Sequence, residues 1–89
     1  MTHIIRAHNI DYIVRVHALD NMRERFISDE LVIKTLEEGE LIEQAHGNDL
    51  CELHYFDDYF QEIVVIRVAV NEPQKAIITV IDDTRPKKE

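Results

Sequence analysis

The stretch QEIVVIRVAVNEPQKAIITVID, residues 61–82, decides the architecture. A long β-branched run, 61–70, meets a second, 76–82, across NEPQK, 71–75, whose proline and polar residues suit a turn. The two runs predict an antiparallel strand pair. Placing Val70 opposite Ala76 and counting by twos sets Val68 against Ile78, Ile66 against Val80 and Arg67 against Thr79. One side of the pair is then wholly apolar: Val64, Ile66, Val68, Val70, Ala76, Ile78 and Val80. That side is expected to pack on helices. The other side sets Arg67 and Thr79 among Ile63, Val65, Ala69, Ile77 and Ile81. Either the two form a polar pair in a groove, or the Arg67 stem lies on the sheet with its head in water.

Two further strands are expected just upstream. ELIEQAH (40–46) and DLCELHYF (49–56) flank Gly47-Asn48, a two-residue hairpin signal. A two-residue turn there places His54 opposite Leu41, with Glu43 and Glu52 on its face. Before them, ISDELVIKTLEEGE (27–40) has helical spacing. Ser28 is the expected N-cap, Asp29 and Glu30 suit the positive end, and Leu31, Val32 and Leu36 face inward. Gly39 fits a left-handed helix end. A first helix is expected over 17–26, with Leu19, Met22 and Phe26 on one side. His17, Asn21 and Arg25 recur every fourth residue, a step of about 40° around the axis, so they form one slowly drifting polar stripe. Residues 1–11 read as an N-terminal arm or a short helix capped by Thr2, residues 11–17 as weakly extended, and residues 84–89 as a flexible tail. The fold class expected is α+β, with two helices packed on one face of a four-stranded antiparallel sheet.

The whole is one domain of 89 residues, 45% hydrophobic and without tryptophan, so burial rests on branched aliphatics. Cys51 is the single cysteine and cannot form an internal disulfide. The N-terminus carries no basic-then-apolar signal, and no apolar run is long enough to span a bilayer. The chain reads as cytoplasmic. A net charge of −8 argues against non-specific binding to nucleic acid or to anionic membrane, so neither DNA nor membrane is an expected partner. The charge is uneven: residues 29–62 hold eleven acids and one base, Lys34, while the two ends are near neutral. An anion site should use the ends.

HALDNMRERFISDELVIKTLEEGELIE, 17–43, resembles the opening of a bacterial family of small proteins, domain of unknown function 4258, and IITVID, 77–82, is similar to that family's late strand. The resemblance covers roughly residues 12 to 83. On it, His17 and Ala18 match the family's His-Ala pair, and Arg23 and Arg25 its arginine turn. Ser28 matches the cap, Gly39 the helix end and Thr79 the late threonine. Two positions depart: Phe26 stands where the family usually has glycine, and Ile81 where it often has a tyrosine suited to proton transfer or stacking. In element order the family is similar to the RelE and BrnT kind of plasmid-stabilisation toxin, many of which are metal-independent endoribonucleases. The resemblance implies a toxin-like domain with RNA and an antitoxin protein as partners and no cofactor. The alternative is a non-catalytic protein-interaction module of the same fold, for which a homodimer is also open.

The catalytic candidates are His17, Arg25, Arg67 and Thr79. An imidazole near neutrality suits a general base for a ribose 2′-hydroxyl; at a helix start it also suits bonding to free backbone groups. Arg25, with Arg67, suits the grip on a phosphate; for Arg25, as for Arg23, an ion pair to the acidic middle is the competing role. Thr79 would orient a side chain or bind the sugar-phosphate. His54 is a second imidazole or a solvated strand residue. Cys51 and His54 fall on opposite faces of a strand, and no paired metal-ligand spacing occurs, so no metal is expected.

Overall fold

A computed structural model describes residues 2–45 and 47–84. The elements in order are β1 (Ile4–Ala7), β2 (Ile10–Val14), α1 (Val16–Arg25), α2 (Asp29–Glu38), β3 (Glu40–Ala45), β4 (Asn48–Asp57), β5 (Glu62–Asn71) and β6 (Ala76–Asp82). The strands form one six-stranded sheet in the order β1-β2-β6-β5-β4-β3. The class is α+β, but the sheet is mixed and six-stranded, not four-stranded and antiparallel. β1 comes from the segment read as an arm or short helix, and β2 lies mostly in residues 11–17, read as weakly extended but not placed in the sheet. Ile4 pairs with Ile13, and Ala7 with Ile10, around His8 and Asn9. Both turn residues have positive φ, 53° and 62°, the conformation of a tight two-residue hairpin turn. β2 then runs parallel to β6, with Ile13 and Val14 beside Ala76 and Ile77. The long α1–α2 crossover makes that parallel neighbour reachable.

Both helices agree with expectation to within a residue at most ends. Ser28 caps α2, its side-chain oxygen accepting from the Leu31 amide at 3.2 Å. Val32 is fully buried, and Leu31 and Leu36 pack half-buried against the core. Thr35 is fully buried too; its hydroxyl donates to the Leu31 carbonyl at 2.8 Å, so no polar group is stranded.

The helix ends reverse the expected roles. Gly39 has φ −71° and ψ 168°, an extended backbone and not a left-handed one. Phe26, at φ 56° and ψ 40°, is the left-handed residue. Glycine is needed at position 39 for closeness: a Cβ there would meet the backbone oxygen of Thr35 and lie 2.9 Å from that of Glu52. Gly39→Ala is therefore expected to destabilise by about 1–3 kcal/mol, the usual range for overpacking. The check is a lower urea midpoint at an unchanged slope, since the clash is with backbone on both sides.

The core gathers Ile5, Val14, Ala18, Met22, Val32, Ile66, Val68, Val70, Ile77 and Val80. β5 alternates as predicted, with Ile66, Val68 and Val70 inward and Val64 partly buried beside them. β6 does not keep the expected phase. Asn71, not Val70, pairs with Ala76, and a bulge lies between Ala69 and Val70. The two shifts put Ile77 inward instead of Ile78. They set Arg67 opposite Ile81, and Thr79 opposite Ala69. The β3–β4 turn also slips by one: Ala45 pairs with Asn48, and a bulge follows Leu41, which pairs with Cys51 rather than His54. Of the expected tail, Thr84 is described and its hydroxyl accepts from the Val65 amide at 3.0 Å; residues 85–89 lie outside the described residues.

Candidate functional site

α1 leaves β2 directly and crosses over β6. Asn21, in the middle of the polar stripe, donates from Nδ2 to Thr79 Oγ1 at 3.3 Å. Four residues on, Arg25 joins Asn21 in lining a cleft of about 120 Å³, closed on the strand side by Val80, Ile81 and Asp82. His17 lies one turn before Asn21 on the same stripe and is exposed. Among the described residues its ring makes no hydrogen bond, so it does not brace the strand-to-helix corner. Neither Arg23 nor Arg25 has a carboxylate within 4.0 Å among the described residues. Both stand in the last turn of α1, where a cation complements the negative helix end. Of the four candidates, Arg25 shares the cleft with Asn21, Thr79 accepts from Asn21, and His17 stands one turn before Asn21 on the same helix stripe. Asn21, on the stripe but not among the candidates, is the link; its four-residue spacing from His17 was the available signal.

Arg67 belongs elsewhere. Its Nε bonds Glu52 Oε2, and its Nη2 lies 3.3 Å from Asp83 Oδ2. His54 Nε2 bonds the other oxygen of Glu52. Together with Ile63 and Val65, the residues His54, Arg67 and Asp83 line an open groove on the side of the sheet away from the helices. The polar pair Arg67–Thr79 does not form, because the register sets Thr79 opposite Ala69 and Arg67 opposite Ile81. The His54 hydrogen bond, and then Arg67, hold the Glu52 carboxyl below the usual carboxylate range. A carboxyl depressed in the folded state adds stability above its unfolded value and loses it as pH falls through the lower folded one. Wild-type stability should therefore fall as pH drops below the ordinary carboxylate value, and Glu52→Gln should flatten that acid limb. Urea midpoints from pH 7 to pH 2 would show it; parallel curves for the two proteins would refute it.

Other polar residues serve the fold. His3 Nε2 lies 2.9 Å from Asp29 Oδ1, tying the start of the chain to α2. His8 Nε2 donates to the Leu36 carbonyl at 2.8 Å, and its amide to Glu37 Oε2 at 3.1 Å, so the first hairpin turn caps the end of α2. Neither role was visible in the sequence, since each spans more than twenty residues. Tyr12 gives its hydroxyl to Glu72 and is pushed up to about 12, by burial first and that carboxylate second. Burial also raises the Cys51 thiol, aided by Asp49 and Glu72, which keeps it protonated and a poor nucleophile. Among the described residues no three His, Cys, Asp or Glu side chains are grouped to hold a metal ion, and no helix is long and apolar enough to cross a membrane.

No curated protein and no solved structure matches the chain. The family model described as Domain of unknown function (DUF4258) matches residues 14–82, from the end of β2 to the last residue of β6. The match takes in His17, Asn21, Arg25 and Thr79, and with it most of the chain; the protein belongs to that family.

Proposed function

We propose that this chain is a toxin-like domain of the toxin–antitoxin kind that cleaves single-stranded RNA without a metal ion, at the crossing of α1 over β6. The observation that carries this reading is Arg25. In a chain with eighteen acids and ten bases, it has no ion-pair partner within 4.0 Å among the described residues, yet it lines a cleft with Asn21. A guanidinium left unpaired by so many carboxylates is disposed to take a phosphate. His17, exposed on the same stripe, would accept the proton of a ribose 2′-hydroxyl. The 2′-oxygen then bonds to the adjacent phosphorus, the bond to the 5′-oxygen breaks, and water protonates that leaving oxygen. The product strand ends in a cyclic phosphate. Arg25 would bear the charge gathering on the phosphoryl oxygens. Because Asn21 donates to Thr79, the Thr79 hydroxyl hydrogen is left to donate to the same group. Arg67, engaged by Glu52 and Asp83, has no part in this scheme.

The test is incubation of purified protein with single-stranded RNA in the presence of EDTA. Cleavage with cyclic-phosphate ends supports the reading. Absence of cleavage, with and without ribosomes, favours the second reading, an interaction module that binds an antitoxin-like protein. One observation speaks for that alternative. The sheet face away from the helices leaves Ile4, Ile13, Phe56, Ile63 and Ile81 between 41% and 59% exposed.

A further inference from the structure

Phe26 carries two costs that folding does not repay. Its ring is 94% exposed, so it adds nothing to the core. Its backbone is left-handed, φ 56° and ψ 40°, where the Cβ of a bulky residue crowds its own carbonyl. The backbone itself needs that conformation: it turns the chain so that the Ile27 amide donates to the Met22 carbonyl at 2.8 Å, closing α1. Glycine would make the same turn without strain. The main chain is thus accounted for by helix closure, and the side chain is not.

The surroundings give the ring a use. Two open clefts share Phe26 as a wall. One is lined also by Arg23, with Met22 and Leu19; the other by Lys34 and Tyr55. Lys34 Nζ sits 5.5 Å from the centroid of the Tyr55 ring. Arg25 is the preceding residue. Two of the protein's ten bases, Arg23 and Lys34, therefore line clefts against one exposed ring, and Lys34 is the single base between residues 29 and 62. Of the acids lining these clefts, Asp29 is engaged by His3, and Glu30 faces solvent. An aromatic face flanked by cations is the arrangement that holds unpaired bases, with the ring stacking and the cations following the phosphates. An anchor for a protein partner would instead be ringed by groups that exclude water.

We propose that Phe26 is a stacking platform for one unpaired base of single-stranded RNA, beside the phosphate held by Arg25. The inference rests on the ribonuclease reading and adds the contact that selects an unstacked base. Stacking is sequence-tolerant, so the preference conferred is for single strands over duplexes.

The test uses a single-stranded DNA oligomer with one 2-aminopurine, which lacks the 2′-hydroxyl and so reports binding without cleavage. Wild-type protein should quench the fluorescent base. Phe26→Gly should weaken binding roughly 5- to 150-fold, the span of one lost stack, and should melt at a higher temperature than wild type. Phe26→Trp should retain binding. The opposite signs of binding and stability separate this role from a structural one. Unchanged affinity in Phe26→Gly, or a lower melting temperature, overturns the proposal. If wild type and Phe26→Gly cleave RNA with the same KM, the platform fails while the ribonuclease reading stands. If wild type neither cleaves RNA nor quenches the oligomer, both fall.

Discussion

On the proposed ribonuclease reading, His17→Ala and Arg25→Ala are each expected to abolish cleavage of single-stranded RNA while leaving the fold as stable as before. A positioned general base contributes about 10²–10⁴-fold, and loss of one donor to a developing oxyanion costs about 10²–10³-fold. Both losses are large enough to see in a slow enzyme. Stability should hold because both side chains are exposed and, among the described residues, neither has a hydrogen-bond or ion-pair partner. Surface substitutions of that sort usually stay within about 0.5 kcal/mol. The measurement pairs a cleavage time course with a thermal melt for each variant. A lowered melting temperature with no wild-type cleavage would assign the stripe to structure. Retained cleavage by folded His17→Ala would remove His17 as the base. His54 is then no ready substitute, because its ring is held by Glu52 in the groove shared with Arg67.

Ile66→Ala should cost about 2–5 kcal/mol, the range for deleting a buried branched side chain together with the cavity it leaves. Ile66 is 1% exposed, sits in β5, and faces Leu53 across β4. Domains have only about 5–15 kcal/mol in hand, and small ones tend to the low end. The variant should therefore unfold at a much lower urea concentration, and on heating it could lose its cooperative transition. Ile63→Ala, three residues earlier on the same strand, is the control. Its side chain is 59% exposed and points away from the helices, so its midpoint should scarcely move. Equal shifts in the two variants would mean that the inward face of β5 has been assigned to the wrong residues.

What could be read from the sequence was local. Ser28 as a cap, the inward Val32 and the alternation of Ile66, Val68 and Val70 follow from spacing over a few residues, and the structure agrees with them. Hairpin registers were only half legible. A turn one residue tighter than assumed and one bulge together moved Thr79 from beside Arg67 to beside Ala69. Period-two counting cannot see a bulge, because the extra residue changes the phase without changing composition. The β1–β2 hairpin was missed because His8-Asn9 lacks the glycine that usually marks such a turn, and because Ile4 and Ile5 together hide the alternation. At the site, the polar stripe of α1 was legible from its four-residue step. Its partner strand was not: Asn21 and Thr79 are 58 residues apart, and nothing in either segment specifies that they meet.

The parallel seam between β2 and β6 has a consequence for how the chain can be divided. The family match begins at residue 14, the last residue of β2. Before that point lie all of β1, most of β2 and the His8 contact that closes α2. A fragment cut at the match would begin inside the sheet. The Lys75 carbonyl would lose the Ile13 amide, and β6 would become a bare outer strand carrying Ile77 and Val80. Such an edge invites another chain to complete it. Ile13 and Val14 thus keep the start of β6, Ala76 and Ile77, from standing as an open edge, with β1 taking the outer place in their stead.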